Sequence, residues 1–191
     1  MPGLTIGWEY LTGYYVATNS AKRDRAEWPP HPGRVFMALA AAWFETGEDA
    51  EEGHALRWLE SQDDPQLLLP PRDHVFPRDV VDVYVPVNDN YDPFDWPDKK
   101  KKPTIHPQLG SVAFGRSRQA RTFPCTWVGE SPHFLRWITA GGSDFDKHRP
   151  ALERLCGKVT RIGHPSSLVR MWLDEECDQP PQTIVALREL R

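Results

Sequence analysis

Residues 99–129, KKKKPTIHPQLGSVAFGRSRQARTFPCTWVG, carry seven Lys or Arg side chains and no Asp or Glu. Taking those seven from the 23 basic residues of the chain leaves 16 against 27 acidic ones, a net charge of −11. An acidic protein has thus gathered its positive charge into one segment. Lys99, Lys100, Lys101 and Lys102 form a run. Arg116, Arg118 and Arg121 follow at roughly alternate spacing, which on an extended arm puts Arg116 and Arg118 on one face. Phe114, Phe123 and Trp127 lie close by. Guanidinium forks hold phosphate oxygens bidentately and aromatic rings stack on splayed bases, so the segment suits a single-stranded nucleic acid. A solvated charged loop is the bland alternative.

Two further clusters could meet an anion. DRAEWPPHPGRVF gathers Arg23, Arg25, His31 and Arg34 at the start of a helical pattern, where free N–H groups and the helix dipole favour phosphate. The same WPPHPG reads structurally as a rigid corner that aims the helix, with Trp28 against the core. RIGHPSSLV sets His164, Ser166 and Ser167 between a helix and a strand, either presenting backbone N–H groups to a phosphate or making a tight connection. It is not a phosphate loop of the GxxxxGK[ST] kind.

Catalysis is thinly provided for. The seven histidines show no HExxH and no metal-ligand spacing, GxSxG is missing, and no carboxylate pair stands out. The expectation is no catalytic residue, no metal and no cofactor. A metal-independent ribonuclease would have His31 and His106 as its candidate acid or base, since these lie nearest basic residues.

The elements that must position these groups are legible in part. Ile6, Trp8 and Tyr10 alternate with smaller or polar residues as in a half-buried strand, with a turn at Thr12 and Gly13. Val35, Phe36, Leu39, Ala40 and Trp43 make a helical stripe that Gly47 stops, and a second helix follows over residues 51–61. DVVDVYVPVND (79–89) is the clearest strand, and residues 90–108 lose periodicity. Residues 111–128 read as two extended arms around 115–119, and 131–140 as another strand. A helix starting at 144 or 147 and ending near 160 has Pro150 in its first turn, followed by a strand over 167–176. Residues 178–191 are a terminal strand or a linker. Trp8, Trp43 and Trp172 are expected in the core. The order β-α-β-β-α-β with an insertion predicts an α+β ferredoxin-like or RRM-like sandwich, one domain over 1–191 with a basic hairpin at about 90–130.

Length, 39% hydrophobic and 26% charged residues suit a globular chain with a real core. Three cysteines without a CxxC pair argue against a disulfide framework or a cysteine zinc site and fit a reducing compartment. With no signal-peptide pattern and no long apolar run, the expected location is the cytoplasm, with no membrane contact.

WPPHPGRVFMALAAAW, VYVPVND, RQARTFP and RIGHPSSLV, in that order, resemble the CRISPR-associated RAMP proteins of type I-G systems (formerly type I-U). The likeness runs from Leu11-Thr12-Gly13 to about Val169. In that family a subunit that binds the five-prime handle is fused to a C-terminal repeat-processing endoribonuclease, and this chain is similar to the handle-binding part. The resemblance implies an RRM-like core with a protruding β-hairpin thumb. It further implies a grip on the crRNA 5′ handle, contact with the backbone and large subunits of Cascade, indirect engagement of target DNA, and a part in antiviral defence. The thumb's analogue would hold Arg116, Arg118, Arg121 and Phe123. The nuclease's catalytic residues have no counterpart positions here, and the aromatic RNP signatures of true RRMs are missing. Repeat cleavage and a protein scaffold without RNA contact are the competing readings.

Overall fold

The computed structural model describes residues 3–19, 21–22, 24–71, 74–77, 82–86, 118–174 and 183–185. The chain divides into two compact units, Met1–Asp79 with Pro124–Arg191 and, separately, Val80–Phe123.

In chain order the first unit contains β1 (Leu4–Tyr10), β2 (Tyr14–Val16), α1 (Pro32–Glu45), α2 (Ala50–Glu60), β3 (Gln66–Leu69) and β4 (Phe76–Pro77). The second unit contains β5 (Asp82–Pro86) and β6 (Arg118–Thr122). The chain then supplies β7 (Cys125–Trp127), β8 (His133–Trp137), α3 (Ser143–Lys158), β9 (Val169–Asp174) and β10 (Thr183–Val185) to the first unit. The main sheet runs β10-β3-β8-β1-β9, antiparallel at every pairing. Leaving out the edge strand β10, its four strands and three helices run β-αα-β-β-α-β, a β-α-β-β-α-β order with a helix pair in the first crossover, and the two outer strands flank a central pair. That is the ferredoxin-like α+β arrangement the sequence predicts.

Period-two alternation in β1 sets the core. Leu4, Ile6 and Trp8 are fully buried and Tyr10 nearly so, packed with Leu135 and Trp137 of β8 and with the stripes of the helices. On the other face Gly7 sits opposite Phe134, where an added Cβ would come 2.7 Å from the Trp172 ring and 2.9 Å from that of Phe134. Trp172 is therefore half-buried edge-on against Phe134, outside the helix-covered core, whereas Trp8 lies at its centre and Trp43 packs on its margin.

Helix ends follow capping chemistry. His31 Nδ1 accepts from the Gly33 N–H ahead of Pro32, and Asp49 accepts from Glu51 and Glu52 ahead of α2. α1 runs out just before Gly47, whose φ of 101° is open only to glycine at low cost. α3 starts at Ser143, so Pro150 stands in the helix interior rather than its first turn, and its missing N–H removes one bond from the ladder.

Two strand assignments move. The second strand of the main sheet is Gln66–Leu69, and the segment expected there, 79–89, instead supplies β5, which pairs with β6 in the second unit. Arg118 and Gln119 fall in β6 opposite Pro86 and Val85, not in a turn between two arms. The following segment, β7, joins a separate three-stranded sheet ordered β2-β7-β4.

Candidate nucleic-acid interface

Two of the sequence clusters meet at one groove. It has a volume of ≈ 790 Å³ and runs along α1, walled on the far side by Lys158, Val159, Thr160, Arg161 and Gly163. The floor is small and apolar, Ala38, Ala41 and Ala42, with the exposed Met37 beside it. His31 and Arg34 stand at the α1 end, and a Cβ on Gly163 would lie 3.7 Å from Arg34 Nη1. WPPHPGR and RIGHP are thus neighbours.

Glu27 organises that end. Its carboxylate accepts from Arg34 Nε and Nη2, both at 2.8 Å, from Tyr15 Oη at 3.0 Å and from the His31 N–H at 3.3 Å. Burial alone would raise its pKa. The bonds from Arg34, His31 and Tyr15 outweigh that and hold the carboxyl below its usual value. Reciprocally, the hydrogen bond to Glu27 holds the Arg34 guanidinium above its ordinary value despite some burial. The remaining groove cations are also matched: Arg161 reaches Glu45 at 2.6 Å, and Lys158 grips the buried Glu52 at 2.7 and 2.8 Å. Sequence reasoning singled out His31 and Arg34 but passed over Glu27, Glu45, Lys158 and Arg161. An acid seven residues before Arg34 carries no signal until the WPPHP corner folds it back.

Behind the groove lies an aromatic cluster. His133 stacks on Trp8 at 5.5 Å and meets Tyr10 and Trp28 edge-on at 5.3 and 5.7 Å. Burial drives its pKa down to about 3, against weak support from the backbone of Ser131 and Trp8. Neither ring nitrogen has a partner of good hydrogen-bond geometry. The imidazole is neutral there. Burial likewise raises the phenols of Tyr10 and Tyr15 above their ordinary range.

The other expected residues are spread wider. Arg25 is exposed, with its N–H bonded to the Lys22 carbonyl. His164 Nδ1 lies 2.6 Å from Ser166 Oγ and also takes the Ser166 N–H. Ser167 is buried, and its hydroxyl accepts from the Val16 N–H at 2.9 Å, tying this loop to β2. In the second unit Arg121 is exposed opposite Val83, and Phe123 is half-buried. Positions 118 and 121 stand at an odd interval in a period-two element. Arg23, Lys99, Lys100, Lys101, Lys102, His106 and Arg116 lie outside the described residues, as does the side chain of Arg118.

Among the described residues no group of three or more His, Cys, Asp or Glu side chains could hold a metal ion. Among them, too, no helix is long and apolar enough to cross a membrane.

Residues 9–88 match the model of a family described as CRISPR-associated protein, GSU0054 family. That span takes in only the last two residues of β1, then the WPPHPGR corner, both N-terminal helices, β3 and β5. No curated protein matches the chain. The family match supports a CRISPR-associated protein with a part in CRISPR defence.

Proposed function

We propose that this chain is the RNA-binding subunit of a type I-G CRISPR effector complex, holding the 5′ handle of the crRNA at one end of the Cascade backbone in the cytoplasm. The observation that carries the reading is the match of residues 9–88 to a CRISPR-associated family. The ferredoxin-like strand order and the strong charge contrast between residues 99–129 and the rest of the chain add to it. In this reading the Val80–Phe123 unit, with β5 and β6, is the thumb, and Arg116, Arg118 and Arg121 contact phosphates. Backbone and large subunits are the protein partners, and target DNA is met through the guide.

The test is binding of a labelled repeat-derived RNA at several salt concentrations. Changing Arg116, Arg118 and Arg121 together to Ala weakens binding and flattens the dependence of log affinity on log salt by up to ~0.7 for each phosphate left without its cation. Unchanged affinity and slope in the triple variant would refute the thumb assignment. His31 uses Nδ1 as an acceptor at the head of α1, which favours a capping role over cleavage for that histidine.

A further inference from the structure

The small sheet β2-β7-β4 has two unlike faces. Inward, Tyr15 and Thr126 are buried. Outward, the register places Tyr14 opposite Trp127 and Phe76 opposite Trp127 on its other side, so three rings stand in one row across three strands. Directly paired side chains share a face, and neighbouring strands lie about 4.8 Å apart. Phe76 is 56% and Trp127 38% exposed, and the Tyr14 and Trp127 rings are 4.7 Å apart, edge to face. Gly13 makes room for the indole: a Cβ there would lie 2.8 Å from it. One step along, Val16 pairs with Cys125, so Tyr14, Val16, Cys125, Trp127 and Phe76 put no charge on this face.

The ribbon that continues from β2 is different. It turns back through a bridge between Thr18 and Ala26, with the Asn19 N–H bonded to the Arg25 carbonyl. Lys22 and Arg25 are exposed at its tip, with Asp24 between them. Rings in a row with cations further along one ribbon match the needs of a single strand: flat surfaces for bases, positive charge for the phosphates, and, among the described residues, no carboxylate between the rings to repel them.

We propose that the outward face of β2-β7-β4 is a stacking platform on which two or three unpaired bases of single-stranded RNA lie against Phe76, Trp127 and Tyr14. The proposal rests on the RNA-binding reading above and names a second contact surface, independent of the basic unit. Stacking on rings tolerates any base, so the platform secures the strand without selecting its sequence.

The experiment measures binding of a labelled single-stranded RNA by the full chain carrying Phe76→Ala, Phe76→Leu or Phe76→Tyr. Circular dichroism checks each fold, and the RNA carries 5-iodouridine for photo-crosslinking. Phe76→Ala and Phe76→Leu weaken binding about tenfold, as expected for loss of one stacked base, while the salt slope stays unchanged because every phosphate keeps its cation. Phe76→Tyr keeps the affinity, and crosslinked peptides contain Trp127 or Phe76. Wild-type affinity in both Phe76→Ala and Phe76→Leu overturns the platform. If the arginine triple variant loses binding in the same assay, the RNA-binding reading survives that failure. If Phe76→Ala leaves RNA binding intact but releases a co-purifying subunit, the face is a protein contact and the platform is wrong. A wild-type chain that binds no RNA overturns both proposals.

Discussion

In the groove beside α1 each of the three cations is met by a carboxylate, Arg34 by Glu27, Lys158 by Glu52 and Arg161 by Glu45. Across the outward face of β2-β7-β4 the described residues Tyr14, Val16, Cys125, Trp127 and Phe76 carry no charge. Residue type alone would rank these surfaces the other way, since arginine and histidine attract attention as ligands for phosphate. Geometry reverses that. An arginine already bridged in two places to a half-buried acid has its charge offset and only its remaining N–H donors to offer an outside anion. An exposed ring on a sheet gives up little to accept a base. The groove's charges hold the fold together, while Phe76 and Trp127 on the sheet are exposed to solvent.

Measurement can set the two surfaces apart. The largest effect belongs to Glu27→Ala, which strands Arg34 and the Tyr15 hydroxyl at once and lowers stability by about 2–3 kcal/mol in urea unfolding at neutral pH. A loss below ~0.5 kcal/mol would mean that the Glu27 cluster is not structural. Because the Glu27 carboxyl is held below its ordinary value of 4.5, its contribution is complete above that pH and is lost as pH falls further. Glu27→Gln should accordingly show a smaller deficit in acid than at pH 7.

Next comes His133, which touches Trp28 on the groove side and belongs to the cluster that includes Tyr15 from the small sheet. Its pKa of about 3 lies below the ordinary 6.5, so the unfolded chain binds the extra proton between those values. Stability therefore rises with pH in that window, by up to about 1.4 kcal/mol per pH unit from this group. His133→Phe should flatten that slope, and an unaltered pH profile would contradict the buried neutral imidazole.

Smaller still is the exposed pair of Arg161 and Glu45, for which a double-mutant cycle should return less than about 1 kcal/mol. Smallest is Phe76→Ala, which should leave stability within about 0.5 kcal/mol. A large destabilisation there would show that the ring supports the fold, and the contrast between the two surfaces would fail.

How much of this is legible in the sequence depends on whether a residue's partner is close along the chain. β1 can be read because alternation shows within one strand, and α1 because its stripe and its stop at Gly47 are local. β3 escapes notice although Leu67, Leu68 and Leu69 are all buried. A strand covered on both sides has no alternation, and a run of four between Pro65 and Pro70 resembles a linker. The valine-rich segment at 79–89 shows the converse. Its period correctly announces a strand, but period says nothing about which sheet receives it. In the site, His31 and Arg34 are visible as a cluster, yet their neighbour Gly163 and their ally Glu27 require the folded corner. The row of Tyr14, Trp127 and Phe76 is invisible, because each ring comes from a different part of the chain and register alone aligns them.

The placement of β8 between β1 and β3 bears on how the protein is made. On the ribosome, β1, both early helices and β3 emerge long before His133–Trp137, yet β1 and β3 are joined in the sheet only through that segment. Until that late segment arrives, the nascent chain holds two strands with unsatisfied edges and an uncovered apolar face. A truncated chain ending after the family-matched region would remain in that state. It would be a ready substrate for chaperones and proteases.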